Sequence, residues 1–188
     1  MKNKTKRYLG FFSFLIVLLA GVITISIIGP QKIVNELGVR NSFIGYFLVA
    51  AVGGVSSLTS SSYYILTYAM GAAGLSPLLI GILGGIGVSI GDSLFYYIGS
   101  KGEDVAPEKI SKRTEKISKI IKNKPKWAGI GIIYFYTGFT PFPNDIVTVP
   151  LGFLKYPYKR MILPLTLGNI TATIIIAYLA SIGYKFLF

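Results

Sequence analysis

Two carboxylates of this chain stand where a charge is expensive. Asp92 lies in "GGIGVSIGDSLFYYIG" and Asp145 in "TGFTPFPNDIVTVPLG", each inside a long apolar stretch. An ionised carboxylate in hydrocarbon is costly, so such residues face a cavity, pair with another group, or carry a proton. The chemistry open to Asp92 and Asp145 is therefore proton coupling, contact with a polar head group, or a hydrogen bond to backbone left open by a broken helix. Asp145 has Asn144 beside it and Pro141, Pro143 and Pro150 around it. An earlier apolar stretch is broken by Ser56, Ser57, Thr59, Ser60, Ser61 and Ser62. Asn144 and Asp145 can cap a half-helix that starts near Ile146, and Ser60 to Ser62 one that starts near Tyr63. The N-terminus of such a half-helix carries partial positive charge and suits an anionic group.

Other chemistries are excluded by what is missing. The sequence has no Cys and no His. That removes disulfides, thiolate or imidazole metal sites, and Ser-His or Cys-His nucleophile pairs. Two acids far apart in sequence make neither a metal cluster nor an acid-base pair. No enzyme, metal or cofactor is expected, and the coupling ion, if there is one, is a proton or sodium.

The elements that carry these residues follow from composition. Of 188 residues 52% are hydrophobic and only 14% charged, the balance of an integral membrane protein. Residues 9–28, 78–98 and 162–184 approach or exceed the ~20 residues that span a bilayer as a helix. The first follows the basic "MKNKTKRY" but is longer than the ~7 to 15 apolar residues of a cleaved signal, so residues 1–30 are read as a resident basic segment and span. Lys and Arg number 19 against 7 Asp and Glu, a net charge of +12. The basic residues flank spans, which is an orientation pattern rather than a sign of nucleic acid. The N-terminus, the segment 101–126 and the turn with Lys155, Lys159 and Arg160 are expected on the cytoplasmic side of a cell membrane, with the C-terminus outside. Between Pro107 and Pro125, Ile110, Ile117, Ile120 and Ile121 share one face of an interfacial amphipathic helix.

That charge map makes each of the stretches 43–75 and 127–154 return to the side from which it entered. Both read as re-entrant hairpins of two short half-helices around a polar tip. Surface loops between complete short spans are the alternative topology. Broken backbone at membrane depth is tolerated only against protein or a watery cavity, so both tips face an interior. A shift of 84 positions lays Gly99 and Lys101 on Gly183 and Lys185, Gly84 on Gly168, and Ser60 and Ser61 on Asn144 and Asp145. Residues 31–188 then form one domain: an inverted repeat of hairpin plus transmembrane helix (about 78–99 and 160–184), in an all-α polytopic membrane protein. The span that carries Asp92 also holds Gly84, Gly85, Gly87, Gly91, Ser89 and Ser93, small residues that let another helix come close.

"GVSIGDSLFYYIGSKG" resembles the G-x-x-x-G-D-x-x-x-Y-x-I-G signature of DedA-like proteins, also called the VTT or SNARE-associated family. "TPFPNDIVTVPLGFLKYPYKRMILPLTLGN" is similar to their second signature. The resemblance covers about residues 43–183 and implies opposed re-entrant hairpins that move lipid between leaflets, polyprenyl phosphates in bacterial members and phospholipids in eukaryotic ones. By position it makes Asp92 the signature acid and puts Pro141, Pro143 and Asp145 at the tip. This chain has no carboxylate in the first hairpin and no Arg near Thr137 and Gly138. Half-helix amides, hydroxyls and the rim residues Lys155, Lys159 and Arg160 must then supply the donors to a head group. The expectation is a flippase or scramblase whose partners are membrane lipids. A proton-coupled transporter of small solutes or ions, and a membrane assembly scaffold, are the competing classes.

Overall fold

The computed structural model describes Ile16 and residues 19–53, 60–101, 126–140 and 142–187. The N-terminal basic segment, the start of the first expected span, the tip residues 54–59, the basic stretch 102–125 and Pro141 lie outside the described residues. Every described element is a helix: α1 Leu19–Ile28, α2 Pro30–Leu37, α3 Val39–Gly53, α4 Ser60–Ala72, α5 Pro77–Lys101, α6 Lys126–Phe139, α7 Asp145–Phe153 and α8 Tyr158–Leu187.

Their lengths divide them into two classes. Pro77–Lys101 and Tyr158–Tyr184 are long and apolar enough to cross a membrane. The helices α3, α4, α6 and α7 have 15, 13, 14 and 9 residues. At 1.5 Å per residue none exceeds about 23 Å, short of the ~30 Å hydrocarbon core. Their exposed Ile, Leu, Val and Phe side chains, such as Leu48, Val52, Phe135 and Phe139, are the outward face that a protein in lipid presents.

Helix directions can be read from contacts. Along α5 and α8 the pairing runs in opposite senses: Gly81 faces Ile174, Gly85 faces Ile170, Ser89 bonds Asn169 and Ser93 bonds Tyr158. These two helices are therefore antiparallel. On α3 and α5 the pairing rises together, Tyr46 with Gly84 and Ala50 with Gly87. On α4 and α8 it also rises together, Tyr63 with Thr173 and Gly71 with Ala177. The arms α3 and α4 run opposite to one another, with Tyr46 bonded to Thr67 and Gly53 to Ser60. On α7 and α5, Asn144 meets Asp92 while Val149 and Gly152 meet the stretch from Tyr96 to Ser100. The end of α3 and the start of α7 thus lie level with Asp92, ~14 Å from the Lys101 end of α5. The pairing of elements is unchanged when α3, α4 and α5 are exchanged for α6, α7 and α8. Each first arm packs on its own long helix and each second arm on the other one. The exchange is imperfect, because α3 also packs on α4 while α6 has no comparable contact with α7.

Close approach is bought with glycine. A Cβ on Gly152 would run into the Tyr96 carbonyl, and one on Gly99 into the Val149 carbonyl, so α5 and α7 touch backbone to backbone. Both second arms leave by the same turn. Leu75 N–H donates to Met70 O and Gly74 N–H to Gly71 O; Tyr156 N–H donates to Leu151 O and Lys155 N–H to Gly152 O. These are Schellman motifs, and each needs a left-handed residue after the helix. Gly74 takes it at φ 82°; Lys155 takes it at φ 50°. Two apolar clusters flank the middle: Tyr46, Ala50, Tyr63, Met70, Ile80 and Ala177 on one side, and Tyr96, Ile133, Leu151, Met161 and Leu165 on the other.

Candidate functional site

Three elements bring their polar side chains together at mid-span. Asp92 projects from α5 and is 2% exposed. Its Oδ2 accepts from Nδ2 of Asn144 at 2.7 Å and from Nδ2 of Asn169 at 2.9 Å. Asn144 precedes α7, and Asn169 is inside α8. The second hydrogen of Asn144 Nδ2 goes to Asn169 Oδ1 at 3.0 Å, and that of Asn169 Nδ2 to Ser89 Oγ at 3.1 Å. Ser89 donates in turn to Gly85 O at 2.7 Å. Asp92 makes no ion pair among the described residues, so two neutral amides replace the water that its Oδ2 gives up. Such donors are what a buried carboxylate needs in a low-dielectric surround. The closed set of bonds also fixes the start of α7 against both long helices.

This geometry corrects two expectations. Asn144 does not cap α7 with its side chain, which turns away to Asp92 and Asn169. Its backbone carbonyl instead accepts from Val147 and Thr148. Asp92 does not bond open backbone at a hairpin tip; it bonds the tip's side-chain amide. The reason is common to both: a buried carboxylate at the depth of the tip claims the side-chain amides first, since its unmade bonds cost more.

The other expected residues are placed as follows. Asp145 is the first residue of α7, half-buried, and its Oδ1 is buried with no hydrogen-bond partner among the described residues. Pro143 is exposed, and its carbonyl accepts from Tyr136 OH at 3.1 Å. Ser60 opens α4 and closes the first hairpin by donating to Gly53 O at 3.0 Å; Ser61 is buried and Ser62 exposed. Both lie in the first turn of the half-helix rather than ahead of it. Lys155, Lys159 and Arg160 are exposed around the turn from α7 to α8. Arg160 is about 14 Å along α8 from Asn169, so the rim does not reach the carboxylate directly. Between them stand Tyr158, bonded to Ser93 at 2.8 Å, and Tyr96, whose hydroxyl donates to Tyr156 O at 2.6 Å. Tyr97 and Tyr158 stack with centroids 5.5 Å apart.

Asn169 is the participant that residue types alone did not single out. It is the amide that follows Gly168 in a largely apolar helix, and ranking only ionisable residues passes it by. A second group was also missed: Tyr46, Tyr63, Thr67 and Thr173, all at most 4% exposed and hydrogen-bonded among themselves.

No curated protein and no solved structure matches the chain. A family model does, the VTT domain, over residues 43–182. The matched segment begins in α3, ends near the close of α8, and contains Asp92, Asn144, Asp145 and Asn169. By that match, together with its two long apolar helices, the chain belongs to the VTT domain family of membrane proteins.

Proposed function

We propose that this protein is a lipid flippase or scramblase, which moves phospholipid or polyprenyl phosphate between leaflets along a polar path between two opposed re-entrant hairpins. In this reading α3–α4 enters from outside and α6–α7 from the cytoplasm, the long helices α5 and α8 cross the membrane, and the halves form an inverted repeat. One observation carries it. The Asp92, Asn144 and Asn169 cluster lies level with the end of α3 and the start of α7, and Asn144 and Asp145 are only half-buried. Half-exposed amide and carboxylate at that depth are tolerable only against water or a head group, because hydrocarbon offers them no partner. Acyl or prenyl chains would stay in lipid against the apolar outer faces, while the head group crosses beside the cluster. The rim Lys155, Lys159 and Arg160 would meet the phosphate first, with attraction of about 1 kcal/mol per basic residue near an anionic surface.

The test is transfer of fluorescent phospholipid and of polyprenyl phosphate in vesicles that contain the purified protein. Transfer above the rate of protein-free vesicles for at least one lipid is expected, and lost in Asp92→Ala. No transfer of any of them would overturn the proposal. A second reading, a proton-coupled transporter of a small solute or ion, is favoured by one observation: the unpartnered Oδ1 of Asp145, a place for a proton rather than a hydrogen-bond donor. Solute-dependent proton uptake without lipid movement, abolished in Asp145→Asn, would select it.

A further inference from the structure

The polar groups on the two sides of Asp92 are treated differently by the fold. Toward the Lys101 end they are partly open. Ser93, Asn144, Asp145, Tyr136 and Thr140 are all half-buried, although Thr148 and Tyr96 on the same side are buried. The apolar cluster on that side, with Tyr96, Ile133, Leu151 and Leu165, ties α5, α6, α7 and α8 together. Toward the Pro77 end the polar groups are sealed. Tyr46 is 1% exposed, Tyr63 4%, Thr67 0% and Thr173 1%.

The hydrogens of those four hydroxyls can be assigned. Thr67 Oγ1 donates to Tyr63 O at 2.8 Å, and Thr173 Oγ1 donates to Asn169 O at 2.6 Å. Each threonine has one hydroxyl hydrogen, so each is spent. Tyr46 OH must then donate to Thr67 Oγ1, and Tyr63 OH to Thr173 Oγ1. The first bond ties α3 to α4, and the second ties α4 to α8 one helical turn beyond Asn169. The two tyrosine rings stack with centroids 5.9 Å apart. Gly84 leaves the space for Tyr46 OH, which a Cβ there would occupy. This cross-element bonding has no counterpart between α6 and α7 among the described residues.

We propose that the Tyr46–Thr67 and Tyr63–Thr173 pairs are the closed gate of the polar path on its Pro77 side. The inference rests on the transport reading and adds the element that must move: the first hairpin, by parting α4 from α8. A gate built from neutral hydroxyl pairs is suited to repeated opening, since each bond is worth little more than the one to water that replaces it. It also separates head groups from the far side without placing a charge there.

The chain has no Cys, so single probes are clean. Ser89→Cys, beside Asp92, is treated in vesicles with a membrane-impermeant thiol reagent added from one face or the other, with Ser93→Cys as the probe of the Lys101 side. With the gate intact, Ser93→Cys reacts from the Lys101 side and Ser89→Cys does not react from the Pro77 side. Adding Tyr63→Phe, which keeps the ring and removes only the donor, raises labelling of Ser89→Cys from the Pro77 side on the order of tenfold, the factor by which one lost hydrogen bond shifts a two-state equilibrium. Gly84→Ala, which displaces Tyr46 from the opposite helix, does the same. Labelling of Ser89→Cys from the Pro77 side at equal rates with and without these substitutions, in protein that stays monodisperse, overturns the gate. Labelling that responds in a protein that moves no lipid keeps the gate and overturns the lipid reading instead.

Discussion

The halves α3–α4–α5 and α6–α7–α8 share one plan and differ in what they do with their tips. Both second arms end in a Schellman turn and pack on the opposite long helix. Yet α3 and α4 touch and bond hydroxyl to hydroxyl across their contact, while Asn144, just ahead of α7, commits its amide to the buried acid. Ser60 bonds Gly53 between α4 and α3, whereas Asn144, 84 positions further on, joins three helices.

That inequality can be broken most severely at the acid. Asp92→Ala leaves one N–H each of Asn144 and Asn169 without an acceptor, and should cost about 2–4 kcal/mol in stability, read from thermal or denaturant unfolding in detergent. Asp92→Asn keeps an acceptor oxygen in place, so a loss below ~1 kcal/mol is expected; an equal loss would mean that charge, not acceptance, matters. Asn144→Ala should fall by ~2–3 kcal/mol and Ser60→Ala by ~1 or less, measured the same way. Equal effects would show that the two tips are alike after all.

Glycine makes a finer comparison. Gly99 and Gly183 lie 84 positions apart, on α5 and α8, but a Cβ at Gly99 strikes the Val149 carbonyl whereas one at Gly183 meets nothing within 4 Å. Gly99→Ala should destabilise by ~1–3 kcal/mol through overpacking. Gly183→Ala should be neutral or stabilising by up to ~1 kcal/mol through helix propensity. The smallest expected effect is at the turns. Lys155 holds a left-handed conformation that Gly74 holds without a Cβ, so Lys155→Gly should raise stability by about 0.5–1 kcal/mol. A fall would mean that the lysine side chain contributes more than its backbone strain removes.

Much of the fold was legible because the signals are long. Apolar runs of bilayer length marked the two long helices, which extend one to four residues beyond those runs at each end, and proline, serine and glycine clusters marked where the short helices stop. The acids stood out by rarity. Asn169 did not, because one amide in a membrane helix has many local explanations, and only its position beside α5 reveals its three side-chain bonds. The hydroxyl gate was less legible still. Tyrosine and threonine are common in apolar helices, and their pairing joins residues 21 and 110 positions apart.

Composition, hydropathy and the lack of Cys and His by themselves determined that the chain is helical, apolar and without thiol or imidazole chemistry. Those are properties of residue types in bulk, and no folding is needed to state them. Which polar side chains meet, whether Asn144 caps a helix or serves an acid, and which side of Asp92 is sealed were decided only by the tertiary structure. A single amide or hydroxyl can bond in several directions with nearly equal energy. The choice is made by the helices that glycine allows to come close, and a one-dimensional pattern does not contain that distance.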